Sequence, residues 1–421
     1  EAIDNYSGSA FNFGAVHCLL KYTDKELLVG TDNGLYLFDQ NTNTFQRADN
    51  PADPRSLSDQ TINGMMWDAE GALWVLTNLG GINYMSKQTK RFDYYSPAYL
   101  SGVPGAGEVV APFCENKDGN IWIGTQSGLY FFNVATRELS PYAIGTKNQK
   151  YDIRSLMLDG DYLWIGTYAG GIRVINLRTG AVKAYTHSRG IPNTICSNDV
   201  LCIYKGRKGE IYVGTSWGLC RYDAARDNFM TITSVGSMVS VVDIYEDMYN
   251  HLWIATSNSG VFSYNTMNAH WKHYQHERED STTITSNSVI TLFEDTKGTM
   301  WFGTNGGGLC SFDAKEKRFI EFDPHNTLLP NKVIYAIEQD QGGDFWVSSN
   351  AGIFKINPVT KDHFRQFTIN DGLQGNQFIA RSSLKSSEGK LYFGGINGFN
   401  VFQPEQFVDN KYIPPVYVTD I

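Results

Sequence analysis

Clustered histidines and paired carboxylates are the residues of this chain whose types and spacing could support chemistry. His270, His273 and His276 recur every three residues. They flank a segment with strand and loop composition, so a solvated loop is favoured over a helical metal motif. The acidic pairs Glu246-Asp247 and Glu294-Asp295 fall where a strand ends, which favours turn capping over acid–base catalysis. With no Gly-x-Ser-x-Gly elbow or Walker phosphate loop either, the sequence predicts no catalytic residue, no metal ligand and no cofactor.

The strands and turns that position these residues come from one sequence motif, or phrase, that recurs nine times. In one copy, Asp118-Gly119-Asn120 has turn chemistry, and the apolar run from Ile121 to Gly124 is rich in strand formers. The large side chain of the phrase falls successively at Leu28, Trp74, Trp122, Trp164, Tyr212, Trp253, Trp301, Trp346 and Tyr392. A period in the forties with four strand-like runs per repeat indicates β-propeller blades.

The sequence therefore predicts an all-β protein with almost no helix. Residues 109–407 hold seven consecutive repeats, which predicts a seven-bladed ring of four-stranded blades. Residues 1–95 add about two N-terminal blades, interpreted as the remnant of a first propeller, and the Gly- and Pro-rich stretch 96–108 is a linker. A single eight- or nine-bladed ring is the alternative. Residues 408–421 begin a further β-domain after Pro414-Pro415.

The residue types of this repeated phrase can each be explained by their role in packing or in holding a turn. The aromatic fills the wedge between neighbouring blades, the glycine after it lets two backbones approach closely, and the threonine hydroxyl can bond to the next turn. These residues are expected in the core and carry no chemistry.

Composition limits the possible binding partners of the chain but does not identify its cellular compartment. A net charge of −9 argues against nucleic acid and against anionic membrane surfaces. The chain shows no signal peptide and no run of about 18 apolar residues that would span a bilayer. No two of its six cysteines form a close Cys-x-x-Cys pair, and most lie in predicted strands, so we expect free thiols and no obligatory disulfide.

The repeated Asp-x-x-Gly-x-x-Trp-x-Gly-Thr phrase resembles a known family, the regulator-propeller repeat. That repeat builds the periplasmic sensor half of hybrid two-component proteins of glycan-degrading gut bacteria. The closing segments 371–378, 389–399 and 414–420 are similar to the last blade and the hinge into that family's immunoglobulin-like domain. The family usually has two seven-bladed propellers, so the nine repeats here depart from its pattern.

The resemblance implies the periplasmic part of an inner-membrane protein that binds an oligosaccharide and relays to a histidine kinase. Its implied partners are the oligosaccharide and the following immunoglobulin-like domain, with a homodimer of the intact receptor left open. Enzymes on propellers are the alternative, because the Asp-x-Gly-x-x-Trp phrase overlaps the sialidase Asp-box and streptogramin lyases use a similar repeat with a histidine base. A propeller that binds only proteins is the third possibility.

Loops between strands two and three of each blade, with the loops between blades, share one face of a propeller. In this chain those loops carry amides and exposed rings, which suit a sugar because rings stack on C–H faces and amides pair with hydroxyls. We call this side the contact face. The predicted ligand-binding residues are Tyr168, Trp217, Asn305 and Asn350, with Arg381 added for an acidic glycan.

Overall fold

Short apolar runs bounded by turns form antiparallel strands throughout the part of the chain that the computed structural model describes. The described residues are 13–49, 56–85, 92–97, 109–145, 150–236, 238–323, 329, 331–361 and 364–407. Most of the predicted linker and the predicted start of an immunoglobulin-like domain lie outside them. The chain divides into two units, residues 1–90 and residues 91–421.

The first unit contains two sheets. The four-stranded sheet has the order β1-β2-β3-β4, and the three-stranded sheet has the order β5-β6-β7. The strands are β1 Val16–Lys21, β2 Glu26–Thr31, β3 Gly34–Asp39, β4 Thr44–Arg47, β5 Ile62–Trp67, β6 Leu73–Thr77 and β7 Ile82–Met85.

The second unit contains seven four-stranded sheets, which we number as blades 1 to 7 in chain order. Blades 1 to 3 comprise β9 Val110–Glu115, β10 Ile121–Thr125, β11 Gly128–Asn133, β12 Glu138–Tyr142, β13 Ile153–Asp159, β14 Tyr162–Thr167, β15 Gly171–Asn176, β16 Val182–Tyr185, β17 Val200–Lys205, β18 Ile211–Thr215, β19 Gly218–Asp223 and β20 Asn228–Ile232. Blades 4 and 5 comprise β21 Val241–Glu246, β22 His251–Thr256, β23 Val261–Asn265, β24 His270–Tyr274, β25 Val289–Glu294, β26 Met300–Thr304, β27 Leu309–Asp313 and β28 Arg318–Glu321.

Blade 6 comprises β29 Ala336–Gln339, β30 Phe345–Ser349, β31 Gly352–Ile356 and β32 Arg365–Phe367. Blade 7 comprises β33 Phe378–Lys385, β34 Leu391–Gly395, β35 Gly398–Phe402 and, as its outermost strand, β8 Asp93–Tyr95. Short 3-10 turns occupy Thr233–Val235, Ile369–Asp371 and Pro404–Gln406.

Blade 7 packs back onto blade 1, so the second unit is a closed seven-bladed ring. The Ser382 hydroxyl on β33 donates to the carbonyl oxygen of Val110 at 3.0 Å. The Ser387 amide donates to the Glu115 carboxylate at 2.8 Å. The predicted all-β propeller with seven blades is confirmed, and the alternative of one eight- or nine-bladed ring is wrong because, among the described residues, β33 of blade 7 packs directly against β9 of blade 1.

The outermost strand of blade 7 comes from the start of the second unit. In register, Tyr95 lies opposite Phe399 and Asp93 lies opposite Val401. The prediction that this segment ends the second N-terminal repeat is wrong. A strand that closes a ring from the N-terminal side has the same composition as one that ends the previous blade, so the repeat pattern does not separate them.

In blades 4, 5 and 6 a carboxylate at the end of the innermost strand fastens the following turn. Asp247 accepts from the amides of Tyr249 and His251 and from the Trp253 indole nitrogen, all at 2.8–2.9 Å. The neighbouring Glu246 accepts from the Arg207 amide of blade 3 at 2.7 Å. The predicted turn-capping role of these acids is therefore confirmed. Glu246 also links blade 4 to blade 3.

Glycines after the large aromatics stand where blades approach most closely. A Cβ atom on Gly124 would lie 2.6 Å from the Ile153 side chain of blade 2, and one on Gly303 would lie 2.7 Å from Ile334 of blade 6. Because both sites leave no room for a side chain, the sequence-based explanation of these glycines is confirmed.

Candidate functional site

Loops of the contact face leave their strands at the level where each innermost strand begins. Val110, at the start of β9, lies opposite Thr125, at the end of β10, and the same pairing of strand ends recurs in the following blades. The threonine hydroxyl donates to the carbonyl oxygen of Gly128 and accepts from the Ser127 amide, which holds the loop tight. Side chains at the loop tips therefore point away from a rigid base.

Tyr168 and Trp217 occupy such tips in blades 2 and 3 and are 57% and 62% exposed. The Tyr168 amide donates to the carbonyl oxygen of Asp152, and the Trp217 amide donates to the Thr215 hydroxyl. Their backbones are fixed while their rings stay exposed. Two exposed rings on adjacent blades give a surface on which a planar or ring-shaped ligand could stack.

A charged group that sequence reasoning missed lies beside these rings. Arg154, the second residue of β13, donates to the Asp152 carboxylate at 2.7 Å. Its guanidinium carbon lies 5.6 Å from the centre of the Tyr168 ring. An arginine two residues after an aspartate is not a recognisable sequence motif. These two residues reach the contact face only because they lie at the start of β13.

Asp199 extends this charged group to blade 3. Burial raises the pKa of its carboxyl, and the nearby charge of Arg154 and a hydrogen bond from Ser216 partly oppose that rise. Among the described residues its Oδ1 atom has no hydrogen-bond partner. Ser216 in turn lies 3.0 Å from the Ser197 hydroxyl and precedes Trp217. The charged group thus connects the two exposed rings.

Asn305 and Asn350 lie on the same face in blades 5 and 6, two or three blades away from Tyr168 and Trp217. Both are exposed. The Asn305 backbone is held by the carbonyl oxygen of Ser288 and a bridge to Val333. The structure therefore places the four predicted loop residues on one face but divides them between two sectors.

Arg381 lies on β33, the innermost strand of blade 7, and not on a loop. It sits in a bulge of β33, where the five-residue step from Phe378 to Ser383 faces a two-residue step in β34. Its backbone is left-handed, with φ 58°, and its amide donates to the carbonyl oxygen of Tyr335 in blade 6. The guanidinium donates to the carbonyl oxygen of Leu201 in blade 3, at 2.8 Å.

Acids near the axis carry raised pKa values. Burial raises the pKa of Asp243, on β21, to about 6, and the charge of Arg381 moderates that rise. Burial raises the pKa of Glu338, on β29, to about 7, against a hydrogen bond from Ser383. The carboxylate of Asp243 accepts from the Leu292 amide of blade 5 at 2.8 Å, so this acid also ties two blades together.

Of the three regularly spaced histidines, His273 and His276 make contacts within the fold and His270 is exposed to solvent. The His273 ring stacks on Phe262 with centroids 3.9 Å apart. His276 contacts the carbonyl oxygen of Ile284 at 2.7 Å, and His270 is exposed. Within the described ranges no group of three histidines, cysteines or acids is placed to hold a metal ion.

Cys196 and Cys220 form a disulfide, which contradicts the expectation of free thiols throughout. Cys196 lies in the loop that enters β17, and Cys220 lies on β19 of the same blade. They are 24 residues apart in sequence, and only the pairing of the blade's strands brings them together. The other four cysteines, Cys18, Cys114, Cys202 and Cys310, are free.

Residues 235–258 and 283–306 match the family model described as a two component regulator propeller. These two segments are therefore similar to regulator-propeller repeats. The matched segments cover the innermost two strands of blades 4 and 5, in which Trp253 and Trp301 donate to Asp247 and Asp295.

The chain is similar to a curated protein and to solved structures. Histidine kinase P4 of Formosa agariphila is 26% identical over 362 residues, which are 83% of this chain and 25% of that protein. The extracellular domain of BT4673 from B. thetaiotaomicron, described as a candidate hybrid two component system, superposes with a TM-score of 0.61 at 22% identity, covering 95% of this chain and 53% of that one. PorZ of Porphyromonas gingivalis, a surface component of the type-IX secretion system, gives a TM-score of 0.57 at 14% identity, covering 92% and 62%.

The chain spans about a quarter of the length of the curated relative and about half of the BT4673 domain. In the described part of the chain, no helix has the length and apolar character needed to cross a membrane.

Proposed function

We propose that the ring is a non-catalytic extracytoplasmic sensor that binds an oligosaccharide on its contact face. The observation that carries the proposal is the pair of exposed rings, Tyr168 and Trp217, flanking the charged group of Asp152, Arg154 and Asp199. Rings stack on the C–H faces of sugars, and carboxylate and guanidinium groups pair with hydroxyls. One rigid surface then offers both kinds of contact that a saccharide needs.

Arg381 and the two asparagines extend the proposed surface. Only one guanidinium nitrogen of Arg381 donates to Leu201, so its other N–H groups can meet an acidic sugar that reaches the innermost strands. Asn305 and Asn350 supply amides on the far sector, which only a ligand of several sugar units would reach while it contacts Trp217.

The compartment and the role in signalling belong to the same proposal. The disulfide between Cys196 and Cys220 suits an oxidising compartment, as in the periplasmic part of an inner-membrane protein. The curated relative is named a histidine kinase, and a similar structure is described as an extracellular domain. We propose that ligand binding is relayed to a histidine kinase of the intact protein through a following immunoglobulin-like domain, and that the sheets of the first unit, residues 1–90, are blades of a first propeller.

A glycan screen followed by calorimetry tests the binding proposal. Trp217→Ala and Tyr168→Ala each remove a stacking face worth about 1 kcal/mol, so each is expected to weaken binding roughly fivefold without unfolding the ring. Tyr162→Ala is the matched control, because Tyr162 is 48% exposed at the opposite end of β14. Unchanged affinity in the first two variants places the ligand elsewhere, and turnover of the glycan by the pure protein contradicts a non-catalytic role.

The relay has its own test in the intact protein. Pro414 and Pro415 restrict the backbone of the segment that leaves the ring, although these residues lie outside the described part of the chain. Replacing both with glycine is expected to weaken signalling and leave ligand affinity intact. Full signalling by that variant counts against a rigid connection.

A further inference from the structure

Neighbouring blades meet on the outer side of the ring in a wedge, and the wedge between blades 2 and 3 is sealed by charge. Asp227 of blade 3 pairs with the Lys183 ammonium of blade 2. The same carboxylate accepts from the hydroxyls of Tyr185 and Tyr222. Hydrogen bonds from these partners lower the pKa of Asp227 to about 2, so this wedge holds a carboxylate in a site built for an anion.

The wedge between blades 7 and 1 is closed by the same two positions with reversed signs. Lys183 lies opposite Val174, and Asp93 lies opposite Val401, the corresponding residue of blade 7. Arg137 of blade 1 has the left-handed backbone that Asp227 has in blade 3, with φ 59° and 54°. Asp93 and Arg137 face each other at 3.9 Å. An acid and a base therefore occupy the two positions in both wedges.

Between blades 4 and 5 both positions are lysines. Lys272 lies opposite Ser263, as Lys183 lies opposite Val174. Lys317 has φ 56° and stands four residues after the end of β27, as Asp227 stands four residues after the end of β19. Tyr274 repeats Tyr185, stacking on Trp253 with centroids 5.9 Å apart.

This wedge stands open as a cavity of about 400 Å³, lined by Lys272, Lys317, Tyr274, Trp253 and other side chains. Among the described residues, neither lysine forms an ion pair and the Tyr274 hydroxyl makes no hydrogen bond. Asp247 is the one acid of the lining, and three N–H groups of its own turn already occupy its oxygens. The wedge thus has the cationic and hydroxyl partners of a carboxylate and lacks the carboxylate.

We propose that this cavity, the lysine wedge, binds a small carboxylate-bearing sugar whose carboxylate takes the place that Asp227 fills between blades 2 and 3. Two ammonium groups and the Tyr274 hydroxyl would contact the carboxylate. The cavity is far larger than one carboxylate needs, and its lining combines the Phe312 ring with the polar side chains of Asn268 and His270. A sugar ring, with apolar faces and hydroxyl edges, has the matching chemistry.

The lysine wedge is separate from the contact face. It lies on the side of the ring where strands one and two of each blade are joined, as the turn residues Tyr249 and Gly298 of its lining show. Binding at the wedge and binding at Trp217 can therefore succeed or fail independently.

Calorimetric titration with sodium glucuronate tests the proposal, with glucose as the neutral probe of equal ring size. Glucuronate is expected to bind and glucose is not. Lys272→Ala and Lys317→Ala are each expected to raise the glucuronate Kd at least tenfold. Lys317→Asp is expected to abolish binding and to raise the melting temperature of the unliganded chain, because it recreates the sealed wedge.

Two controls keep the test specific. Lys361→Ala removes the lysine at the same turn position of blade 6, where it donates to the carbonyl oxygen of Phe322, and it should leave the Kd for glucuronate unchanged. Tyr162→Ala, at an exposed position of blade 2, should do the same. Both lysines of the wedge are exposed, so loss of fold is not expected, and circular dichroism checks it.

Three results would overturn the proposal. They are equal binding of glucose and glucuronate, unchanged affinity in Lys272→Ala and Lys317→Ala, and binding of inorganic sulfate as tight as that of glucuronate. The last result would mean that the wedge responds to charge alone and not to a carboxylate on a ring.

Discussion

The same repeat is present in the three-stranded sheet β5–β7 of the first unit and in blade 4 of the ring, with different burial. Trp74 and Trp253 hold equivalent positions and donate to Asp68 and Asp247 at 2.9 and 2.8 Å. Yet Trp74 is 37% exposed, whereas Trp253 is 2% exposed. The turn is therefore specified within one repeat, whereas burial of the aromatic depends on the blade packed against it.

Other apolar residues show the same contrast. Leu76, Ile82 and Tyr84 of the β5–β7 sheet are exposed, while Ala255, Val261 and Phe302 at the wedge between blades 4 and 5 are buried. Burial of apolar surface is the dominant stabilising contribution in folding. The ring should therefore be much more stable than this sheet.

Truncating the two tryptophans gives the largest expected difference. Trp253→Ala should lower the free energy of unfolding of the ring by about 3–5 kcal/mol, because it leaves a cavity in a packed wedge. Trp74→Ala should have a clearly smaller effect on the first unit, because its ring is partly solvated already. Hydrogen exchange resolved by peptide measures the two units separately, and equal losses would contradict the comparison.

Reduction of the disulfide is expected to affect only the ring. Closing a loop of 24 residues contributes about 3 kcal/mol in the chain-entropy description. Cys196→Ser with Cys220→Ser, or a thiol reductant, should lower the stability of the ring by up to that amount. The first unit contains only the free Cys18 among its described residues and should not respond, so a reductant effect confined to that unit would refute this account.

The turn carboxylates give a smaller effect that again depends on burial. Asp247→Asn removes the acceptor of a buried indole N–H and should destabilise the ring by about 1–3 kcal/mol. Asp68→Asn should have less effect, because water can reach the exposed Trp74.

In blade 1 the turn residue is Asn116, and the buried Trp122 indole has no partner among the described residues. Asn116→Asp should therefore stabilise the ring by about 1 kcal/mol in denaturant titrations. A destabilising Asn116→Asp would show that the indole is satisfied in another way.

The smallest expected difference is in the dependence on pH. Backbone N–H groups and, for Asp68, the Trp74 indole lower the pKa of Asp32, Asp59 and Asp68 in the first unit, so their contribution is lost only as pH falls into the acid range. Burial raises the pKa of Glu338 to about 7 in the ring, so that contribution is present at low pH and lost as pH rises through neutrality.

Between about pH 4.5 and about pH 7 the stability of the ring should therefore contain a falling component that Glu338→Gln removes. Exchange protection of ring peptides, corrected for the intrinsic rate, measures it. The same slope in the parent and in Glu338→Gln would exclude this carboxyl as its source.

Features that are encoded within a single repeat could be predicted from the sequence. The turn acids, the aromatic slot and the glycine at the close approach are each encoded within a few residues, so the blades and their number in the ring could be predicted. The positions of Asp93, Arg154 and Cys196 depend on strands that are distant in sequence, and nothing in their spacing marks them. The same holds for the lysine wedge, which becomes visible only when Lys272 and Lys317 are compared with their counterparts in other wedges.

The central claim, a saccharide site on the contact face of blades 2 and 3, is tested most directly by a hydrogen-exchange footprint. The chain would be measured with and without the tightest oligosaccharide from the glycan screen. The account predicts protection in the segments around Arg154, Tyr168, Asp199 and Trp217, with no change in the turns on the opposite side of the ring. Protection confined to other segments, or a screen in which no oligosaccharide binds, would contradict it.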